Sequence, residues 1–546
     1  MACAWRVAQA APAAARALGR ALGLHPVTAQ LLLNRGIRDR AQAAQFLAPQ
    51  LSSLSDPARL RDMRRAVSRI RLAISRREPI IIFGDSDVDG LTASIILYEA
   101  LRELGGRVSA VQSNRLADGY GLPQALVRKL CRAGAALVIL VDCGTNQPEE
   151  ILRLAERGID TIIVDHHVPL RRRAAPLALV NPHADGGLGQ ELCSAGLAFK
   201  MAQALFDAGA PGRISEYLDL AALGTLADCG RLLGENRVLV AEGLPRIARS
   251  ARPGLQRLCE ATRVTAPEPE QIVRRLIPRL NAGGRLGEAD TVWKLLLSEQ
   301  DERLDARLTA SASAHAELKQ LHRRTLAEAH EQVNRLHFKD QYVLLVSRTG
   351  WPQGLMGPVA AQLAQRYSRP AIAVAMADRL GVGSGRSIPV FNLLAAVQAC
   401  EPWLVRFGGH AQACGLTIDR QHLEMFRGRI NEEAARTLGR SGLSPTRLVD
   451  LELGLHEIEM SWVGEVERLK PFGHGNPKPT VLVRRVQLEA ASARTGMITD
   501  GRARCAVRGT LEEIVRGGWY DAVLSPAAVS GGLALTPVDA KAAAAP

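Results

Sequence analysis

Between residues 79 and 165 the chain alternates short apolar runs with stretches of helical spacing. Residues 79–83, 136–141 and 161–164 are almost wholly apolar, while 92–104 and 147–157 repeat their apolar positions at helical intervals. Short apolar strands separated by helices predict a parallel sheet covered on both faces. Ligands of such sheets gather at the carboxyl ends of the strands. All three runs deliver an aspartate to that edge: Asp85 after Gly84, Asp142 after Val141 and Asp165 after Val164.

Further along, residues 220–226 form helical text leading into Ala227-Asp228. From about 291 to 336, Leu318, Leu321, Leu326 and Val333 keep helical periodicity with few Gly or Pro, which predicts one connecting helix. Strand signals resume at 341–347 and 371–375, with Gly-rich loops expected between 381 and 410, and a second α/β domain is read there. After about 430 another helix precedes short strands at 481–486, 503–507 and 522–524, a pattern that suggests a small β-barrel. The tail, 539–546, reads as low-complexity and frayed.

Length and composition sharpen this. The 546 residues allow several domains, and 47% apolar with 23% charged residues is ordinary globular composition. Lys+Arg number 69 and Asp+Glu 55, a net charge of +14 that favours a polyanionic partner. Nine cysteines without a Cys-x-x-Cys pair argue against a disulfide framework, a zinc ribbon or an iron–sulfur cluster, and fit a reducing cytoplasm. No apolar run approaches a membrane span. The Ala/Arg-rich residues 1–24 lack the continuous apolar region of a signal peptide.

The densest chemistry lies in Gly84-Asp85-Ser86-Asp87-Val88-Asp89-Gly90, where three carboxylates alternate at a strand end. Unpaired, they would repel one another and raise their own pKa values; divalent cations remove that cost. An EF-hand is excluded because no Glu closes the loop. Asp142-Cys143-Gly144, Asp165-His166-His167 and Ala227-Asp228 add further carboxylates and two imidazoles. Taken singly, each could be a helix cap or turn. Together they make a hard oxygen set with imidazole that suits Mn²⁺ or Mg²⁺. Two such ions, roughly 3.5–4 Å apart, can activate water and clamp a phosphoryl group. No Walker A segment exists, and 381–387 is no dinucleotide fingerprint because position 386 is Arg. In Gly383-Ser384-Gly385-Arg386-Ser387 the glycines could turn backbone N–H groups toward an anion that Arg386 clamps, although a plain tight turn has the same spelling.

These motifs, in this order, resemble the DHH phosphoesterase family, and within it the bacterial branch of single-strand-specific DNA exonucleases. The resemblance rests on 84–90, on Ser113-Asn114-Arg115-Leu116-Ala117-Asp118-Gly119-Tyr120-Gly121-Leu122, and on Asp142-Cys143-Gly144 and Asp165-His166-His167. Asn181-Pro182-His183, Ala227-Asp228, Gly234-Glu235-Asn236-Arg237 and Pro278-Arg279-Leu280-Asn281-Ala282-Gly283-Gly284-Arg285 follow. Gly383–Ser387 and Phe407-Gly408-Gly409-His410 resemble the companion DHHA1 domain, and Pro471-Phe472-Gly473-His474-Gly475-Asn476-Pro477 the entry to an OB-like domain.

The resemblance implies an α/β fold: a parallel-sheet DHH domain joined by a long helix to a smaller α/β DHHA1 domain, with a C-terminal OB-like β-barrel. The expected boundaries are an N-terminal helical segment over 1–45, the DHH domain over 46–290, the connecting helix over 291–336, DHHA1 over 337–425 and helix plus OB-like domain over 426–546. It implies Asp85, Asp87, Asp89, Asp142, His166 and Asp228 as metal ligands, with Asp142 bridging two Mn²⁺ or Mg²⁺ ions. His167 would meet the scissile phosphate, Asp165 would orient a histidine, and His410 would face the site. Asn114, Arg115, Arg279, Asn281, Arg285, Ser384, Gly385, Arg386, Gly408 and Gly409 would bind substrate. The implied activity is 5′→3′ hydrolysis of single-stranded DNA to mononucleotides in repair and recombination. Single-stranded-DNA-binding protein and a helicase are the implied partners, with no membrane.

Departures stand beside the matches. Ser86 replaces the family's usual aromatic residue, Pro352-Gln353 interrupts a Trp-His pattern, and Cys229-Gly230-Arg231 replaces an apolar stretch. Arg171-Arg172-Arg173 reads as a solvated loop. Two rival functions share much of this spelling: a DHH phosphodiesterase of short oligonucleotides or cyclic dinucleotides, and a non-catalytic single-stranded-DNA-binding member. The intact Asp/His set speaks against the second.

Overall fold

Five strands, where the sequence pattern suggests three, build the first sheet. The computed structural model describes residues 3–544 except 116–118, 120, 171–174, 185, 207–210, 266, 299–301, 337–340, 440–442, 444–445, 492–494, 510–517 and 530–531. Arg171 to Arg173 and Leu116, Ala117, Asp118 and Tyr120 therefore lie outside the described residues. The chain packs as two compact units, residues 55–230 with 242–444, and residues 1–54 with 231–241 and 445–546.

In the 55–444 unit the first sheet runs Arg107–Gln112, Pro79–Gly84, Leu137–Val141, Asp160–Val164, Ala178–Val180, every pair parallel. Two strands escape the sequence reading. Arg107–Gln112 is an edge strand whose residues alternate between exposed and half-buried, so its Arg107, Ser109 and Gln112 hide the apolar run. Ala178–Val180 has only three residues. The central strands are Ile/Val/Leu runs buried on both faces; Phe83, Val138, Leu140 and Ile163 pack with Val127, Leu130 and Leu154 from the helices on one side. The Val88–Glu103 helix begins four residues before its expected start at 92, because the Asp87 side chain caps it by accepting from Gly90 N at 3.1 Å.

The expected single helix over 291–336 is two, Ala289–Leu296 and Arg303–Asn334. The polar run Ser298-Glu299-Gln300-Asp301 interrupts the apolar repeat there.

The second sheet, in the same unit, has the order Leu404–His410, Ala413–Asp419, Leu380–Arg386, Ala371–Met376, Leu344–Thr349. Its last pair is parallel and the rest are antiparallel. Within 381–410, expected as Gly-rich loops, Leu380–Arg386 is thus strand paired on both sides and Leu404–His410 is an edge strand. Gly381, Gly383 and Gly385 share one face and meet side chains too closely for anything larger. A Cβ on Gly385 would lie 2.7 Å from Leu393 Cδ2 and 2.8 Å from Cys414 Sγ. Glycine is used here for close packing, not for turning. The Leu423–Leu438 helix, grouped above with the barrel, lays Phe426, Ile430 and Ala434 on this sheet's core.

In the other unit, strands Val481–Ala491, Thr495–Thr499, Arg504–Arg508, Gly532–Ala542 and Trp519–Val529 close into a ring, the last pairing back with the first. Residues 539–542, expected to fray, pair with Tyr520–Val523 instead. Ala4–Val7 pairs in parallel with Thr446–Val449. Trp5 Nε1 donates to Asp539 at 2.8 Å, and the Lys541 ammonium sits 4.1 Å from the Trp5 ring centroid. Leu18, Leu31, Leu32 and Phe46 share one core with Trp462, Val483 and Leu524. Arg237 is buried in this unit, its guanidinium 3.7 Å from the Phe46 ring centroid, donating to the carbonyls of Phe46 at 2.7 Å and Lys470 at 2.5 Å. Among the described residues, no helix is long and apolar enough to cross a membrane.

Candidate metal centre

Gly84, Val141 and Val164 are cross-strand neighbours, so the next residues, Asp85, Asp142 and Asp165, emerge side by side from the sheet's carboxyl edge. The backbone ladder continues through them: Asp85 N donates to Val141 O at 3.2 Å and Asp142 N to Val164 O at 3.0 Å. Asp142 then turns into the left-handed region at φ 61°, a conformation a non-glycine residue holds only when its surroundings enforce it.

Asp85 is bonded through both carboxylate oxygens. It accepts from Ser113 Oγ at 2.7 Å and from Arg115 Nε at 2.8 Å, and a second Arg115 nitrogen reaches its other oxygen. That same nitrogen lies 2.9 Å from Asp87 Oδ2. Asp89 accepts from Ser194 N and Ala195 N, each at 2.8 Å. Asp142 Oδ1 accepts from Ser194 Oγ at 2.9 Å and stands 3.4 Å from His166 Nε2. His166 also lies 3.7 Å from Asp89 Oδ2 through Nε2 and 3.7 Å from Asp228 Oδ2 through Nδ1. Asp228 is the C-cap of the Leu218–Ala227 helix.

Asp165 faces the other histidine. His167 Nδ1 lies 2.7 Å from Asp165 Oδ1, which also accepts from His166 N at 2.8 Å, while Asp165 Oδ2 accepts from Thr145 N at 3.2 Å. Burial works against its charge, but His167 and these donors win and hold it well below the usual carboxylate range. With Asp165 ionised, His167 Nδ1 carries the proton toward it. Asn181 Nδ2 fixes the segment by donating to His167 O and Thr145 Oγ1, both at 2.9 Å.

The donor set fits divalent cations. Three groups gather oxygen or nitrogen atoms within 4.8 Å: Asp142, His166, His167; Asp89, His166, Asp228; and Asp85, Asp87, Asp142. Among the described residues, Asp142 links the first group to the third and His166 the first to the second, and none needs a thiolate. The electrostatics agree. Burial, then Asp142, pushes Asp89 up to about 7, the signature of carboxylates crowded without a counter-cation. Burial also disfavours charge on His166, yet Asp142, Asp228 and Asp89 raise its pKa well above the usual imidazole value.

The expected substrate residues are placed as follows. Asn281 Oδ1 accepts from Val88 N at 3.3 Å, helping to cap the helix that carries Asp89. A Cβ on Gly284 would lie 2.3 Å from Ser86 O, so this glycine lets the Ile277–Arg285 helix press against the aspartate loop. Asn114 donates to Gly287 O at 3.3 Å, and Arg285 to Gly354 O at 2.8 Å. Burial, then neighbouring Arg115, lowers Arg285 to about 10. Arg279 is half-buried near His315. Arg386 donates to Ser384 Oγ at 3.0 Å and to Gly385 O at 2.8 Å, and its charge is felt by the exposed His410, as are those of His166 and His167. Gly409 has φ 137°, and a Cβ there would lie 2.3 Å from Ala413 O, whereas Gly408 faces open space.

One expectation fails. Gly385 cannot cradle an anion with freed backbone N–H groups, because its strand is laddered on both sides and its α-carbon faces Leu393 and Cys414. What 383–387 offers is side chains, Ser384 Oγ and the Arg386 guanidinium. Ser113, Thr145 and Ser194 carry bonds that the sequence reading left unassigned; only Ser113 lay inside a quoted motif.

The chain matches the DHH family, N-terminal domain, over residues 79–225, the DHHA1 domain over 340–436 and the RecJ OB domain over 449–499. The single-stranded-DNA-specific exonuclease RecJ of Thermus thermophilus is 34% identical over 490 residues, covering 88% of this chain and 69% of that protein. The chain belongs to the RecJ family. The RecJ of Bacillus subtilis is 35% identical over 492 residues, and the match takes in 89% of this chain but 62% of that relative, less than two thirds of its length. The crystal structure of Thermus thermophilus RecJ in complex with Mn²⁺ superposes with a TM-score of 0.84 at 28% identity, covering 99% of this chain and 80% of that one. The DHH match to this RecJ-family chain contains every acidic and imidazole group of the cluster except Asp228, three residues past its end.

Proposed function

We propose that the chain is a two-metal-dependent exonuclease that hydrolyses single-stranded DNA from the 5′ end to 5′-mononucleotides, in DNA repair and recombination in the cytoplasm. The observation that carries the hydrolytic reading is one donor group, Asp142, His166 and His167, linked through His166 to a second group and through Asp142 to a third. Relatives named as single-stranded-DNA-specific exonucleases support the substrate, and Mn²⁺ and Mg²⁺ complexes of a relative support the ions.

Asp85, Asp87, Asp89, Asp142, His166 and Asp228 would hold the cations. When bound, Mn²⁺ or Mg²⁺ supplies Lewis acidity to the phosphoryl group and acidifies the attacking water. His167, oriented by Asp165, presents Nε2 to a phosphate oxygen. Arg386 with Ser384, and Arg115 or Arg279, form the cationic side that selects a terminal phosphate, whose extra charge distinguishes it from an internal diester. Single-stranded-DNA-binding protein and a helicase fit as partners, since the first holds such a substrate and the second exposes its ends.

The test is a Mn²⁺-dependent assay on 5′-labelled and 3′-labelled single-stranded DNA, duplex DNA, short RNA and a cyclic dinucleotide. Release of labelled mononucleotide first from the 5′-labelled single strand is the expected result. Preference for the cyclic dinucleotide would replace this reading by the small-substrate phosphodiesterase. Binding without cleavage would replace it by the non-catalytic one.

A further inference from the structure

Asp89 and Asp142 reach the cluster from different elements, yet two consecutive residues of a third element hold both. The Ser194–Leu205 helix has Cys193 at its N-cap, and no side chain of its own caps it. Its first N–H groups are satisfied from outside by Asp89, whose two oxygens accept from Ser194 N and Ala195 N. Ser194 is completely buried, and at the first position of a helix it has no preceding helical turn whose carbonyl its hydroxyl could use. The hydroxyl turns to Asp142 Oδ1 instead, at 2.9 Å.

Asp142 needs such a partner. It is buried and sits in the left-handed region, and the imidazoles facing it stand farther off, at 3.4 Å for His166 and 3.9 Å for His167. His166 is itself a ligand in the reading above, so its nitrogen is not reserved for Asp142. The Ser194 hydroxyl is neutral and carries no such second duty.

We infer that Ser194 is a positioning residue for the metal centre: its hydroxyl fixes the orientation of the Asp142 carboxylate toward the cations, while its backbone N–H holds Asp89. The inference rests on the two-ion reading. Outer partners of metal ligands typically contribute 10–100-fold in affinity.

Ser194→Ala removes the hydroxyl and keeps both N–H donors to Asp89; Ser194→Thr keeps the hydroxyl. Mn²⁺ binding to the full chain without DNA, followed by electron paramagnetic resonance of the free ion, should show Kd raised about 10–100-fold in Ser194→Ala and near wild type in Ser194→Thr. Turnover of Ser194→Ala should recover as Mn²⁺ is added. Thermal melting in chelator checks that each variant is folded, and Ser194→Gly, which also lacks the hydroxyl and should behave alike, replaces Ser194→Ala if that variant is not. A Ser194→Ala isotherm superimposable on wild type overturns the inference, as does lost turnover that added Mn²⁺ does not restore. A wild-type chain that binds no Mn²⁺ would instead remove the two-ion reading itself.

Discussion

In the parallel sheet the proposed site residues stand at strand ends; in the mixed sheet they stand on a strand's face. Asp85, Asp142 and Asp165 follow runs whose interiors are pure packing, so the edge is free to be polar while the strands stay buried. Ser384 and Arg386 alternate with Gly383 and Gly385, so one strand must satisfy a core on one side and carry a half-buried hydroxyl and guanidinium on the other. The first arrangement concentrates negative charge at a point and suits small cations. The second spreads hydroxyl and guanidinium along a surface and suits an extended anion.

The sharpest way to break the contrast is Asp142→Ala. Removing one member of a set that acts as a unit should lower hydrolysis by roughly 10³-fold or more, with thermal melting preserved. Near-normal turnover by a folded, metal-saturated variant would end the strand-end account. Metal removal comes next. Mn²⁺ at 100 times its Kd should stabilise the chain by about 2.7 kcal/mol over the chelated form. Melting curves should show that gain shrinking in Asp142→Ala and persisting in Arg386→Ala.

Arg386→Ala probes the other sheet. It should cost about 1.5–3 kcal/mol of kcat/KM on 5′-phosphorylated single strands, the scale of one charge-assisted hydrogen bond, and less on 5′-hydroxyl strands. Equal losses would move end recognition to Arg115 or Arg279. The smallest effects separate two kinds of glycine. Gly385→Ala should destabilise by about 1–3 kcal/mol through overpacking against Leu393 and Cys414. Gly415→Ala, where a Cβ meets nothing within 4 Å, should stay within about 0.5 kcal/mol in the same denaturation experiment.

The same contrast explains what was legible. An apolar run followed by Asp is a local signal, so three strand ends and their aspartates could be read from the chain. Arg107–Gln112 could not, because an edge strand dilutes its apolar residues with polar ones. Leu380–Arg386 has the spelling of a loop because glycine has no strand preference; its fitness comes from neighbours such as Leu393 and Cys414, distant or unremarkable in sequence. Ser194 meets Asp142 across 52 positions, a pairing that no local pattern announces.

The threading of the 1–54, 231–241 and 445–546 unit has a consequence in time. Ala4–Val7 waits for Thr446–Val449, and Leu18, Leu31, Leu32 and Phe46 wait for a core that includes Trp462 and Leu524. At about 5–20 residues per second, synthesis separates strand from partner by roughly 20–90 s. Through that interval the first helices are nascent chain with their apolar faces bare, while residues 55–230 already contain every carboxylate and imidazole of the metal cluster. A ribosome that stalled near residue 444 would therefore leave a chain with its acidic and imidazole cluster assembled and residues 4–46 unpaired, a ready client for chaperones and proteases.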